Sequence, residues 1–296
     1  MSKLNMIPYI GGKYFLAPWI ISHFPKHHAY IEVFGGVLNV LLAKSPANVE
    51  VVNDLNDEVY NLWCVIQSDG ERLAEEADKL PYARKLYNEW STAWHSGTRP
   101  GDSFLRALHF YYISRSGFSG KQYEKTGWSH SVERNAAKNY RTGLSHLQDI
   151  QNRLRMVQLE HTDFWKVLGS YDREDALFYV DPPYYKKECY TVAFSKIDHQ
   201  NLAVLLRNVK GKVVLSYYPH PQILRWYPEN KGWFHYRKTV RKFSHVKTGN
   251  NRLKNRPRST ATEILITNFQ ATDSTECLKI NDHYTDTLEF FNDTKN

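Results

Sequence analysis

Four consecutive residues, Asp181-Pro182-Pro183-Tyr184, are the best candidates for chemistry, and they directly follow the apolar run 176–180. Two prolines cannot continue a strand ladder, so the chain leaves a predicted strand here in a stiff, extended turn. The Asp181 carboxylate and the Pro182 carbonyl can each accept a hydrogen bond, and Pro182 has no N–H to donate. An exocyclic amine on an aromatic ring is a poor nucleophile because its lone pair is delocalised into the ring. Two acceptors that each take one N–H would expose that lone pair.

The ring of Tyr184 completes this group, because it could stack on a base extruded from a duplex. An ordinary proline turn after a strand explains the same four residues without any function. The tetrapeptide therefore indicates amine chemistry at the end of a strand, with a purely structural turn as the alternative.

A second group of residues indicates a nucleotide-like cofactor. Gly35 and Gly36 follow the apolar run 30–34, and Asp54 ends the next apolar run, 18 residues after Gly36. Glycines let a cofactor approach the backbone, and an acidic residue after the following strand can bind ribose hydroxyls. The spacing is close to that of nucleotide-binding βαβ units. Paired glycines are also common in turns, so this pattern is weak when taken alone.

The segment His161-Thr162-Asp163-Phe164 follows the apolar run 156–160. Asp163 and Phe164 could place a carboxylate and a ring against an adenine. The local sequence favours a helix N-cap instead, with Thr162 or Asp163 capping a helix that continues through residue 168.

Short apolar runs that alternate with helical patterns predict a mostly parallel sheet built from βα units. Each of the first five runs ends in polar or glycine-containing residues, where such a sheet binds its ligands. A later pair of runs predicts an antiparallel hairpin. The seven predicted strands are 30–34, 49–52, 156–160, 176–180, 212–216, 234–240 and 262–268.

Residues 70–155 interrupt this alternation, because they favour helices and loops without a clear strand and are rich in aromatic side chains. Core packing could account for many of these rings. We expect an inserted module at 70–155 within a catalytic domain formed by 1–69 and 156–296.

The net charge of +8 is concentrated in one segment. Residues 235–260 contain nine basic and no acidic side chains, and the rest of the chain has 30 basic and 31 acidic ones. Such a patch is typical of a surface that follows a phosphate backbone. A solvated basic loop is the alternative.

Composition limits the class of protein. The 296 residues, 42% hydrophobic and 24% charged, are enough for a substantial globular core. The longest apolar run is too short to span a bilayer, and the three cysteines form no CxxC pair, so we expect neither a metal site nor a disulfide framework. We expect a soluble, non-secreted protein of the cytoplasm, either bacterial or, if virus-borne, of the host cell.

Taken together, these residues resemble the Dam-type DNA adenine-N6 methyltransferases, the D12 class of the alpha group of amino-methyltransferases, over residues 6–269. Three elements occur in the family's order: Tyr-x-Gly-Gly-Lys at 9–13, Phe-Gly-Gly with its downstream Asp at 34–54, and Asp-Pro-Pro-Tyr at 181–184. The resemblance implies an α/β fold: a Rossmann-like S-adenosylmethionine-dependent methyltransferase sheet with an inserted, mainly helical target-recognition domain.

The resemblance also implies roles for individual residues. Asp181, Pro182 and Tyr184 would be catalytic. Asp163 and Phe164 look like the family's adenine-contacting pair. In total, eight residues would line the S-adenosylmethionine site: Tyr9, Lys13, Gly35, Gly36, Asp54, Asp163, Phe164 and Asp181.

Residues 110–120 are similar to the family's recognition segment. Arg115 is the candidate for a guanine or phosphate contact, with an internal salt bridge as the alternative, and Phe118 is the candidate for stacking or insertion at the target base. Four residues of the basic segment are further DNA-binding candidates: Arg252, Lys254, Arg256 and Arg258.

This chain departs from the family's Glu-Pro-Phe-x-Gly-x-Gly pattern at two places. Val33 replaces the proline, and Val37-Leu38 stand where a further glycine is usual. The departure leaves open a weakened cofactor affinity or a locally shifted turn.

The expected reaction is direct methyl transfer from S-adenosylmethionine to N6 of an adenine flipped out of double-stranded DNA, by a monomer, without metal or membrane. Cytosine-N4 methylation and a catalytically silent DNA-binding relative are the alternatives. Methylation at cytosine C5 would need a nucleophilic cysteine, typically preceded by proline, and here Trp63, Glu188 and Glu276 precede the cysteines.

Overall fold

The computed structural model describes residues 4–118, 120, 124–187, 192–241 and 260–272. A seven-stranded sheet lies at the centre of this part of the chain. Its strands are β1 (Ala29–Glu32), β2 (Val49–Asn53), β3 (Val157–Glu160), β4 (Ala176–Val180), β5 (Lys212–Tyr217), β6 (Phe234–Arg241) and β7 (Thr260–Thr267). The strand order is β3-β2-β1-β4-β5-β7-β6, with β1 to β5 parallel and β7 antiparallel to both of its neighbours.

All seven predicted strands are confirmed, each within two residues of its predicted bounds. The β1 strand ends at Glu32 because the chain then turns, although the Val33 N–H still donates to the Tyr179 carbonyl at 3.0 Å. The order reverses beside β1, whose neighbours are β2 and β4. In open α/β sheets the ligand binds at such a reversal, outside the carboxyl ends of the strands.

Helices cover both faces of the sheet, which fits the predicted α/β fold class. On β4, Leu177 and Tyr179 contribute to one apolar cluster, and Phe178 and Val180 contribute to the cluster on the opposite face. The described helices are α1 (Ala17–Ile21), α2 (Asn39–Ala43), α3 (Asp57–Lys79), α4 (Arg84–His95), α5 (Ser103–Ser116), α6 (Ala136–Leu144), α7 (Leu147–Leu154), α8 (Phe164–Tyr171), α9 (Lys196–Leu206) and α10 (Pro221–Trp226). None of them combines the length and the hydropathy that crossing a membrane requires.

The segment expected to be inserted contains α4 to α7, and its described residues include one isolated β-bridge, between Gly117 and Trp128. The proposed boundary at residue 70 falls inside α3, directly after a kink at Asp69 (φ −148°, ψ 38°). Gly70 lies against Gln151 of α7, whose Oε1 accepts the Glu71 N–H at 3.2 Å. Helix α3 therefore runs through the proposed boundary and packs on α7 with residues on both sides of the kink, Gln67 and Gly70. The division into domains stays a prediction.

The turn after β1 depends on a close contact with α3. The Trp63 indole N–H donates to the Gly36 carbonyl at 3.0 Å, and the Gly35 N–H donates to the Asn53 carbonyl at 2.7 Å. A Cβ on Gly35 would lie 2.6 Å from the Trp63 ring. Gly35 is therefore required because the indole occupies the space of a side chain.

Replacing this glycine tests the contact. We expect Gly35→Ala to lower the free energy of unfolding by about 1–3 kcal/mol, because the buried Trp63 ring must move. The matched change Gly169→Ala, in α8 with nothing within 4 Å of the new Cβ, should raise stability by about 0.5–1 kcal/mol through helix propensity. Urea unfolding measures both, and equal stabilities for the two variants would contradict the packing.

Candidate active site

A cavity opens at the carboxyl ends of β1, β2 and β4, where the strand order reverses. All eight residues expected to contact the cofactor line it, although they come from five separate parts of the sequence. The structure thus brings them together in one place, and their individual contacts to a cofactor stay a prediction.

Asp54 is fixed between the glycine turn and the loop that follows β2. The Gly36 N–H donates to Asp54 Oδ2 at 2.8 Å, and the Asn56 N–H donates to Oδ1 at 2.9 Å. Burial raises the pKa of Asp54 above its usual value, although these two donors favour the ionised form. The carboxylate is therefore held in position at the cavity wall before any ligand binds.

Leu38 stands where the family pattern has a glycine, and it adopts the left-handed conformation that glycine adopts most easily, with φ 56° and ψ 32°. The Leu38 side chain is fully buried in the apolar core. The backbone thus keeps a glycine-like conformation at the departure from the family pattern, and burial of the side chain offsets the conformational cost.

One end of the cavity is aromatic. The rings of Phe34 and Phe164 stack with centroids 5.9 Å apart, and Phe194 meets both edge-on at 5.5 Å. Asp163 occupies the N-cap position of α8, as the local sequence favours, but its side chain makes no capping hydrogen bond. The Asp163 carboxylate is therefore not used by the helix and lies on the cavity wall beside the rings.

Lys13 forms the centre of the opposite, polar end. Its Nζ lies 2.7 Å from Asp181 Oδ2 and 3.8 Å from Glu263 Oε1, and it donates to the Gly11 carbonyl at 2.8 Å. Burial alone would lower the pKa of Lys13, but the two carboxylates raise it above its usual value. Lys13 is therefore a buried cation that belongs to the acidic cluster around it.

Asp181 uses only one of its two oxygens in this cluster. Oδ2 contacts Lys13, whereas Oδ1 is buried and has no hydrogen-bond partner among the described residues. Burial raises the pKa of Asp181, and the Lys13 ammonium acts in the opposite direction. Since an unpaired buried acceptor costs free energy, Oδ1 is suited to accept an N–H from a ligand.

Tyr184 is held by a buried network. Its hydroxyl donates to the Glu263 carboxylate and lies 3.0 Å from Ser216 Oγ, and the Lys13 ammonium lies 4.9 Å from the centre of its ring. Tyr184 lines a second pocket, and Tyr218 on the wall of this pocket meets the Tyr184 ring edge-on at 4.7 Å. Tyr184 therefore lines a tyrosine-lined pocket and lies one residue after Pro183, which lines the first cavity.

Two buried acids of this site were missed by the sequence analysis. Glu263 is 2% exposed on β7, and Glu32 is 2% exposed at the end of β1 and lines the cavity. Tyr30 Oη and the Leu41 N–H both donate to Glu32 Oε2, at 2.8 and 3.1 Å. A charged residue inside an otherwise apolar strand is the signal that could have identified both.

The recognition candidates lie in the helical segment. One Arg115 guanidinium N–H donates to the Asn139 carbonyl at 3.2 Å, and the group lies where a side chain on Gly143 would be. No carboxylate of the described chain forms an ion pair with Arg115. Phe118 is 39% exposed. The four basic candidates at 252–258 lie outside the described residues.

Residues 9–243 match the family model described as D12 class N6 adenine-specific DNA methyltransferase. The chain belongs to this family. The family, the methyltransferase fold and the class of enzyme predicted from the sequence are thereby confirmed. Membership of a methyltransferase family also implies use of S-adenosylmethionine, and a DNA methyltransferase acts on DNA.

Similar proteins include a type II methyltransferase of Methanocaldococcus jannaschii, 22% identical over 203 residues that cover 62% of this chain and 70% of the relative. A DNA adenine methylase of Vibrio cholerae is 23% identical over 185 residues, 60% of this chain and 64% of the relative. The chain also matches a DNA adenine methylase of Salmonella typhi at 26% identity, over 38% of this chain and 41% of that protein.

The buried acid Glu32 gives the site a testable pH dependence. Burial raises the pKa of Glu32 from 4.5 to about 8, so the folded protein keeps a proton that the unfolded chain releases. The neutral side chain contributes stability that is complete below pH 4.5 and is lost as the pH rises through about 8.

We therefore compare the free energy of unfolding of the wild type with that of Glu32→Gln. The wild-type value minus the variant value should fall by on the order of a few kcal/mol between about pH 5 and about pH 9. The exposed Glu174→Gln is the matched control and should show no such change. A constant difference across this range for Glu32→Gln would show that Glu32 is already ionised in the fold.

Proposed function

We propose that this chain transfers a methyl group from S-adenosylmethionine to N6 of an adenine flipped out of double-stranded DNA. The observation that carries the proposal is the Asp181 carboxylate: Lys13 holds Oδ2 at 2.7 Å, and Oδ1 is buried without a described partner. An acceptor fixed in this way at the end of β4 suits the N–H of an aromatic amine.

The charges on the cavity wall support S-adenosylmethionine as the ligand. Its described wall contains one basic side chain, that of Lys13, and five acidic ones: Glu32, Asp54, Asp163, Asp181 and Asp198. A ligand with a net positive charge is favoured there. Bound S-adenosylmethionine supplies a methyl group on a positively charged sulfur.

The order of groups along the cavity supports one orientation of this ligand. The Phe34, Phe164 and Phe194 rings, with Asp163, would hold the adenine. Asp54 is suited to the ribose hydroxyls, as in other nucleotide-binding sheets. The polar end around Lys13 and Glu32 would hold the amino-acid moiety, with the Glu32 carboxylate facing its ammonium.

In the proposed mechanism, Asp181 Oδ1 and the Pro182 carbonyl each accept one N–H of the target amine, which exposes the nitrogen lone pair. Lys13 fixes Oδ2 and thus the orientation of the carboxylate. The methylated nitrogen must then lose one proton, and Asp181, whose pKa burial raises, is placed to take it. Positioning and hydrogen bonding supply the acceleration.

The tyrosine-lined pocket beside Tyr184 is suited to the flipped base. Its described wall includes Tyr185, Tyr217 and Tyr218 together with Lys186 and Lys187. Rings can stack on an unpaired base, and the ammonium groups can contact its phosphates.

Product analysis tests the proposed reaction. Purified protein is incubated with mixed-sequence duplex DNA and labelled S-adenosylmethionine, and the digested nucleosides are separated. We expect N6-methyladenosine, and a loss of at least about a hundredfold in rate for Asp181→Ala. Asp149→Ala is the matched control, because it removes an exposed carboxylate outside the cavity.

Labelled N4-methylcytosine as the product would be consistent with the proposed mechanism but would contradict adenine as the target base. Absence of any product from a folded protein that still binds DNA would favour the catalytically silent relative. An unchanged rate for Asp181→Ala would contradict the mechanism itself.

The basic segment is proposed to contact DNA phosphates. Neutralising Arg252, Lys254, Arg256 and Arg258 should weaken binding to all sequences alike and flatten its salt dependence, because fewer counterions are released. The control neutralises four exposed basic residues at the amino ends of the parallel strands β1, β3 and β5: Lys26, Arg155, Lys210 and Lys212.

The DNA affinity of both variants, which carry the same net charge, is measured as a function of salt concentration. Equal salt dependence for the two would refute a specific role of the segment.

A further inference from the structure

The polar end of the cavity contains an amide that the proposed mechanism does not use. Asn39 is the first residue of α2, lines the cavity and is 7% exposed. Its Nδ2 is buried and has no hydrogen-bond partner among the described residues. A buried N–H without a partner is costly, so this group is suited to an acceptor supplied by a ligand.

Asn39 lies next to the Tyr-Gly-Gly-Lys segment. A Cβ on Gly12 would lie 2.8 Å from Asn39 Oδ1, so the absence of a side chain at Gly12 makes room for the amide. The amide can turn by 180° about its last bond, which exchanges Nδ2 and Oδ1 at nearly the same positions. With either assignment of these two atoms, the Asn39 amide makes no hydrogen bond to a described residue, and it lines the cavity together with Gly12.

The surroundings indicate which ligand group this donor would meet. The aromatic rings and Asp54 mark the nucleoside end, so the end near Lys13 and Glu32 is left for the amino-acid moiety. The Lys13 ammonium is already bound to Asp181. Among the polar groups at this end, the Asn39 amide is thus a donor without a protein acceptor, and a carboxylate is the complementary ligand group.

We propose that the Asn39 side-chain amide donates a hydrogen bond to the carboxylate of the amino-acid moiety of S-adenosylmethionine and thereby selects ligands that carry this group. The inference rests on the proposed function. It also gives a role to the segment Val37-Leu38-Asn39, where the chain departs from the family's glycine pattern: the turn keeps its conformation, and the next residue adds a donor.

Calorimetry with two ligands distinguishes a direct contact between Asn39 and the ligand carboxylate from a purely structural role of Asn39 in the cavity wall. S-adenosylhomocysteine carries the amino-acid moiety, and 5′-methylthioadenosine is the same nucleoside thioether without it. Asn39→Ala removes the donor, and Asn39→Asp places a carboxylate against the ligand carboxylate. We expect both variants to bind S-adenosylhomocysteine about tenfold more weakly or worse, and 5′-methylthioadenosine within about twofold of the wild type.

Two controls accompany the measurement. Asn135→Asp makes the same chemical change at the N-cap of α6, outside the cavity, and should leave both affinities unchanged. Thermal unfolding of each variant verifies the fold, and an acidic residue at the start of α2 is favourable for the helix, so Asn39→Asp should remain folded.

Several outcomes would overturn the inference. If the variants bound both ligands equally more weakly than the wild type, Asn39 would only support the cavity wall. Unchanged affinities for both ligands would show that Asn39 does not contact the ligand. Tighter binding of S-adenosylhomocysteine by Asn39→Asp would assign the residue to the ammonium instead. A wild-type protein that binds neither ligand would contradict the proposed function, and with it this inference.

Discussion

The site is organised around the buried ion pair between Lys13 and Asp181, 2.7 Å apart with side chains 6% and 15% exposed. The two residues are far apart in sequence, so the pair ties the segment before α1 to the turn after β4. Removing two charges from water is expensive, and their attraction repays this only with good geometry and further hydrogen bonds. Here the Gly11 carbonyl and Glu263 supply the further interactions of the ammonium. The pair occupies one carboxylate oxygen of Asp181, and the other is buried without a hydrogen-bond partner among the described residues.

Burial also affects the other acidic residues of the site. Burial raises the pKa of Glu32, of Asp54 and of Glu263, which means that the fold disfavours their ionised forms. A cationic ligand would reverse that preference and recover part of the cost of burial. The same excess of buried acid that limits the stability of the free protein at high pH thus favours a positively charged methyl donor.

Much of this arrangement could be predicted from the sequence, because it depends on local patterns. Period and length of apolar runs indicate the strands, and the two prolines at 182 and 183 force the chain out of β4 where ligands bind. Glu263 was missed because its partners, Lys13, Tyr184 and Ser216, are distant in sequence. Glu32 was missed because only the fold brings the end of β1 to the cavity. Asn39 was missed for a similar reason, since only the fold places its amide beside Gly12. The geometry of Arg115 depends on α6, which no pattern around residue 115 reveals.

The most direct measurement is a crystal structure of the protein with duplex DNA and S-adenosylhomocysteine, which lacks a transferable methyl group. The account predicts an adenine outside the base stack, with its N6 at hydrogen-bond distance, about 3 Å, from both Asp181 Oδ1 and the Pro182 carbonyl, while Lys13 still holds Oδ2. An adenine that remains stacked, or a flipped base whose amine meets neither acceptor, would contradict it.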